Sequence, residues 1–301
     1  MFANQYHTSF HSSDSTRFTR LALWAGLALL FLQLTSTAAF SQGIIKTLDF
    51  PGAASTAPED INDSGEVVGF YTDANNLSHG FLYEHGQFTP HDVQGSTATQ
   101  IRGVNNGGDL VGFYWDDQNN LHGFWDHQGQ VTMLDLFGVN QTFPTGINDQ
   151  GTIVGLFIDN NQVGHYFVYA NNQAVQLDIP NVTIQNDSTA WPKINNGGSI
   201  VGSVTDNNTG ELRAALISNS SWMLFNVNGE NSRGRAINSS GAITGFYAGS
   251  ASGYVLRNGA ITLMQVPGAL TTSPLGINNH QQITGAYVDA IGTHGFIMQV
   301  P

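Results

Sequence analysis

One pattern constrains this chain more than any other: the Asn of an Ile/Val-Asn-x-x-Gly motif recurs at Asn62, Asn105, Asn148, Asn195, Asn238 and Asn278, with spacings of 43, 43, 47, 43 and 40 residues. Each copy runs on through Ile/Val/Leu and then Val or Thr to a Gly (Gly69, Gly112, Gly155, Gly202, Gly245, Gly285) and later reaches a Gly/Ala-Phe/Leu segment such as "HGFLY" or "HGFIM". Such a unit cannot bury an apolar face alone and must stack on its neighbours. Within a copy, four alternating apolar runs are bounded by turn residues, which is the signature of strands. Four strands in a repeat of this length make a β-propeller blade, whereas the coils of a parallel β-helix are much shorter.

The order of the fragments carries the argument further. Five fourth-strand segments lie inside the array, at "HDVQG" (Asp92), "LDLFG" (Asp135), "LDIPN" (Asp178), "FNVNG" (Asn226) and "MQVPG" (Gln265). The last copy stops at "HGFIMQVP" without one, and a spare, "IIKTLDFPGA" with Asp49, stands ahead of the first. A ring closed by its own N-terminal strand needs that arrangement, because an open array leaves two unpaired edges. The expectation is an all-β, six-bladed propeller of four-stranded blades over residues 42–301, with residues 44–50 completing the last blade.

Most of the repeated polar residues read as scaffold. Asn/Asp followed by Gly between strands one and two gives the positive φ of a tight hairpin, and a calcium loop would need oxygens that the local sequence does not supply. Asp73, Asp116, Asp159, Asp206 and Asp289 stand 11 residues after their Asn in Asn-rich turns, as Asx-turn residues, with a surface calcium as the alternative. His79, His122, His165 and His294 share one repeat position; zinc ligands must meet around one ion, and blades stand too far apart for that, so each is expected to bond across its own blade. Thr56, Thr99, Thr142, Thr189, Ser232 and Thr272 read as turn caps. The strand glycines, from Gly69 on, are expected where blades crowd near the axis. No metal and no cofactor is expected.

Charge and leader bound the partners. The formal charge is −13 with 9 Lys+Arg, which argues against nucleic acid, since such binding rests on basic patches. A polar stretch ending in Arg17 and Arg20, the apolar run Leu21 to Leu34, and small residues before Ser41 read as a secretory signal over residues 1–41; an uncleaved signal anchor is the alternative, and the only expected membrane link. Removing the segment takes the charge to −14. With no Cys, a secreted, extracellular or periplasmic monomer would stand on packing alone.

What varies between copies is where binding specificity can sit. In the loops and strand starts facing the channel mouth, Glu59, Arg102, Lys193, Arg233 and Arg235 occupy non-repeating positions beside Trp191, and the longest loop carries Asp187. Two roles fit: Arg forks and an aromatic platform for an anionic or polyol ligand, or ion pairing with Glu59 and Asp60. Three functions stay open. They are a non-enzymatic binding protein for a glycan or surface polymer, a polysaccharide hydrolase or lyase using Glu59 and Asp187, and a purely structural or adhesive repeat protein.

The copies "GINDQGTIVG" plus "HGF" resemble the HAF repeats of secreted bacterial proteins over residues 44–301. The resemblance implies export and a repeat scaffold and brings no catalytic residues. The chain departs from it at Arg213-Ala214-Ala215 and Ser252-Gly253-Tyr254, where the His is missing.

Overall fold

A computed structural model of the protein describes residues 43–185, 190–219, 221–247 and 251–300. The signal and anchor readings of the leader, Thr189 and Asp187 lie outside them. The alternation of apolar and polar residues places each copy in one antiparallel sheet: residues 55–90, 98–133, 142–177, 182–225 and 232–264 form five consecutive blades. Residues 271–299 supply three strands of the sixth, and Ile44–Leu48 is its fourth, paired from Ile44 with Gln299 to Leu48 with Gly295. The displaced N-terminal strand thus closes the ring as expected, and no helix occurs among the described residues.

Blades seal against one another through the second residue of the HGF segment. A Cβ on Gly123 would lie 2.8 Å from Pro144 of the next blade, and one on Gly295 would lie 2.6 Å from Pro58. Glycine lets the inner strand of the following blade press onto the third strand, and Phe81, Phe124 and Phe296 alongside are fully buried. Aromatic burial of this kind is a main driving force of these junctions.

The six Asn do more than form their own turns. Asn148 Oδ1 accepts the backbone N–H of Gln150 (3.1 Å) and of Thr152 (3.0 Å), which is the expected local bond. Its Nδ2 donates to the carbonyl of Asn195 in the next blade (3.2 Å). The same amide bond runs from Asn62 to Asn105, Asn105 to Asn148, Asn195 to Asn238, Asn238 to Asn278, and from Asn278 back to Asn62. One side chain therefore fixes a hairpin and links two blades, and the links form a closed circle. An open arc of bonds at the next residue sets Asp63 and Asp149 among the amides of Asn106, Asn196 and Asn279.

In five blades the strand glycines have a different cause from the one expected, whereas Gly202 of the fourth does meet a neighbouring blade, a Cβ there lying 2.5 Å from the Tyr166 hydroxyl. In five blades the inner strand carries a β-bulge, between Pro58 and Asp60 in the first, and Gly69 pairs with Pro58 beside it. A Cβ on Gly69 would collide with the Ala57 carbonyl of its own blade, not with another blade. Bulges push the backbone of one strand toward its partner, and only glycine fits opposite.

Candidate functional site

The bulge also builds the centre of the channel. An extra residue re-aims the side chain it carries, and the bulge residues are Glu59, Arg102, Thr145, Arg235 and Leu275. Lys193 sits one position further along the inner strand of the fourth blade, level with Asp60 of the first. Sequence reasoning grouped most of these residues without seeing the bulge that aims them.

The structure brings Glu59, Arg102, Lys193, Arg235 and Trp191 together, each less than a tenth exposed. Glu59 Oε1 lies 2.5 Å from Arg102 Nη1, and Glu59 Oε2 lies 3.9 Å from Arg235 Nη2. Lys193 reaches across the axis: its Nζ pairs with Asp60 Oδ2 (3.0 Å) and donates to the carbonyls of Glu59 (3.2 Å) and Arg102. The Arg102 guanidinium lies 3.9 Å from the Trp191 ring centre and 4.7 Å from that of Phe70, a cation held between aromatic faces. Trp191 in turn packs edge-on to Phe113 at 5.6 Å. Arg233, two residues before Arg235, is half-buried with its guanidinium over Phe246 at 5.7 Å. Of the two roles expected for these residues, ion pairing with Glu59 and Asp60 is the one the geometry displays.

Burial governs the charges here. Desolvation pushes the Asp60 carboxyl above its ordinary range, and the attraction of Lys193 pulls it partly back. Desolvation likewise pulls the Lys193 ammonium down, with Asp60 and Glu59 opposing. Arg102 is lowered to about 10 by the same burial, which Glu59 offsets in part. Three cations and two carboxylates thus occupy the channel as one coupled group, in which removing any member leaves a buried charge short of a partner. Directly beside Asp60, the Asn circle lines a polar recess of about 60 Å³.

The repeated histidines bond across their blades as expected. His122 Nδ1 lies 2.7 Å from Asp135 Oδ2 at the end of the fourth strand, and its Nε2 lies 3.3 Å from Asp116 Oδ2 in the turn. His79 and His294 repeat the clamp, with Nδ1 at 2.7 Å from Asp92 and 2.9 Å from Asp49. Each ring stacks on an aromatic of the second strand, as Tyr114 does on His122 at 5.2 Å. The turn aspartates accept backbone N–H bonds as Asx-turn residues do: Asp73 Oδ1 takes those of Asn75 (2.8 Å) and Leu77 (2.9 Å). The five described loop hydroxyls also accept backbone bonds, as Ser232 does from Val227 (2.7 Å).

One junction breaks the pattern, and sequence reasoning missed it. In the third blade the motif reads His165-Tyr166-Phe167, with Tyr in place of Gly, and the following copy carries the long spacing of 47. The inner strand of the fourth blade is split into Val182–Thr183 and Lys193–Ile194, both paired to Ile200–Asp206. Tyr166 fills the gap, fully buried, with its hydroxyl 2.6 Å from the Ala190 carbonyl, 2.9 Å from the Ser203 carbonyl and 3.0 Å from the Ser203 N–H. The two anomalies, one substitution and one insertion, were each visible in the sequence. Their connection was not, since they lie in different blades.

No known protein family matches the chain, and no curated protein matches it. Solved structures do. The chain is similar to AofleA from Arthrobotrys oligospora at 11% identity and a TM-score of 0.54, covering 89% of this chain and 90% of that one. It is similar to the SapL1 lectin solved in complex with alpha methyl fucoside at 10% identity and a TM-score of 0.53, over 79% and 90% of the two chains. A virginiamycin B lyase from Staphylococcus aureus matches at 14% identity and a TM-score of 0.50, over 85% and 99%. At these identities the likeness is one of fold, shared by lectins and a lyase alike.

Proposed function

We propose that this chain is an exported, non-enzymatic propeller of the HAF-repeat type that binds a glycan or another extracellular polymer. The observation that carries the reading is the state of Glu59: its two carboxylate oxygens face Arg102 and Arg235 inside a filled channel. A general acid or base must reach a substrate proton. Glu59, one of the two carboxylates that the sequence offered for glycoside chemistry, is instead spent on holding cations in the protein interior. The lectin fold neighbours, one of them holding a fucoside, are consistent with saccharide recognition on such a scaffold, and the low charge density with a neutral ligand.

The test is a glycan array probed with the purified protein, alongside release assays on the glycans that bind. Retention of defined glycans without cleavage is expected. Cleavage of a retained glycan would move the protein to the hydrolase or lyase class, and an array without retention would leave the structural or adhesive reading in its place.

A further inference from the structure

The irregular junction between the third and fourth blades has an open side. Val163, Gly164, His165, Leu177, Asp178, Ile179, Val182, Thr183 and Ile184 line a cleft of about 190 Å³ there, larger than the recess at the end of the channel. We propose that this cleft is a binding site for a single neutral sugar ring; the proposal rests on the glycan-binding reading above and places that binding off the axis.

Three local changes make the cleft, and each is a departure from the repeat. First, the clamp is opened. In the other three histidine blades the imidazole Nδ1 bonds directly to the fourth-strand Asp, at 2.7 to 2.9 Å. In the third blade Gln176 Nε2 comes between, donating to His165 Nδ1 (3.3 Å) and to Asp178 Oδ1 (2.6 Å). Asp178, exposed like its counterparts Asp92, Asp135 and Asp49, is thus released from the imidazole; its Oδ1 is held by Gln176 and its Oδ2 is an acceptor at the cleft. Second, the residue before the His is Gly164, where the other His blades carry Ser78, Leu121 and Thr293. A Cβ there would lie 2.8 Å from the carbonyl of Ile184, with which Gly164 forms an isolated bridge, so the inserted chain can cross close to the third blade. Third, the insertion itself supplies the far wall, Val182 to Ile184.

The lining dictates the ligand class. Leu177, Ile179, Val182 and Ile184 give aliphatic surface, Asp178 gives an exposed acceptor, and the Thr183 hydroxyl, which donates to Asn207 Oδ1 (2.8 Å), can still accept. A pyranose offers the matching pair of faces, C–H groups on one side and adjacent hydroxyls on the edge. The cleft is well below the roughly 300 Å³ at which drug-sized sites begin, so one ring fits and an oligosaccharide must extend outward. An anionic sugar is disfavoured by the Asp178 carboxylate and the net charge of −13.

The experiment is a calorimetric and NMR titration of the purified protein with methyl glycosides of neutral hexoses and deoxyhexoses, and with a hexosamine and a hexuronic acid for contrast. Wild type should bind at least one neutral glycoside. Asp178→Asn should weaken it about 10-fold and Thr183→Trp, which fills the cleft, about 100-fold or more, with melting temperatures little changed, since both positions are exposed and Thr183 loses only its surface bond to Asn207. Arg235→Ala should bind as wild type wherever it remains folded. Neutral binding that both cleft variants retain would overturn this site and leave the glycan reading standing. Preference for the hexosamine or the hexuronic acid would overturn the ligand class. Absence of binding to every glycoside here, with glycans retained on the array, would overturn the single-ring site alone; absence in both would overturn both.

Discussion

Two junctions of the same ring solve one packing problem in opposite ways. Between the second and third blades, Gly123 leaves room for Pro144, and the inner strand of the third blade runs unbroken from Thr142 to Ile147. Between the third and fourth, Tyr166 occupies the equivalent place and the inner strand is broken around it. A junction needs a filled volume more than it needs a particular side chain, so an insertion in one blade and a large residue in its neighbour can replace a glycine and a continuous strand. The cost is a less regular edge, and the cleft lies on that edge.

The largest effect should come from restoring the repeat motif where the chain has abandoned it. Tyr166→Gly makes His-Gly-Phe from His-Tyr-Phe, yet it removes a fully buried ring and the three hydroxyl contacts. It should cost about 3 to 5 kcal/mol in urea unfolding. A variant as stable as the parent would mean that the fourth blade can recover a regular inner strand, and the comparison between the two junctions would lose its basis.

Next comes the channel, where blades differ by design of the bulge. Glu59→Gln keeps the shape of the side chain and deletes one of two carboxylates facing three buried cations. The expected loss is about 3 kcal/mol, read as a lower urea midpoint at unchanged slope. If stability held while glycan binding fell, the ion-pair reading of this cluster would give way to the ligand reading.

The Asn circle gives a smaller and more discriminating test. Asn148→Asp retains the Oδ1 acceptor for Gln150 and Thr152 but turns the donor facing the Asn195 carbonyl into a second, charged acceptor. About 1 to 2 kcal/mol should be lost in Asn148→Ala, which forfeits both sets of bonds, and at least as much in Asn148→Asp, which adds repulsion between oxygens. A neutral Asp variant would reduce the residue to the turn former that its sequence context alone suggests.

That last contrast shows what a sequence of this kind discloses. The blade count, the strand order and the closing strand follow from period and from one misplaced fragment, because backbone pairing repeats wherever the pattern repeats. The bonds within a turn are equally legible, since Asp73 or Asn62 finds partners two and four residues on. Contacts between blades are not, as they join residues about 43 positions apart whose pairing depends on ring geometry. The alternation of Asp63, Asn106, Asp149 and Asn196 at the second motif position was a usable signal for the arc of bonds there. The bulge left a fainter trace: in three copies the residue three positions before the Asn is charged, at Glu59, Arg102 and Arg235. Gly69 was assigned to the wrong neighbour for the same reason, because only the backbone shows that the strand beside it carries an extra residue.

The smallest expected effect separates the closed clamps from the rest of the surface by pH. His122 and His294 are raised above their ordinary 6.5, chiefly by the bonds from Asp135 and Asp49, with the turn aspartates adding to it. A raised imidazole pKa means that the folded state holds the proton more tightly than the unfolded chain. The stability this supplies is complete below pH 6.5 and is lost as the pH rises through the folded values. Asp116, lowered to about 2 by its Asn120 and His122 bonds, acts at the other limit, where stability present above pH 3.8 is lost on acidification toward 2. Both groups lie near the surface, so the alkaline loss should amount to a fraction of a kcal/mol, or about 1 to 2 °C in melting temperature between pH 6 and 8. A double variant, His122→Gln with His294→Gln, should flatten that slope, and its loss should be greatest at pH 6. Because the His294 to Asp49 bond also ties the N-terminal strand to the sixth blade, the exchange protection of residues 44–48, corrected for the intrinsic rise of exchange with pH, should fall with pH in the parent and stay constant in the variant. An identical pH response in both proteins would show that the clamps contribute geometry and no charge.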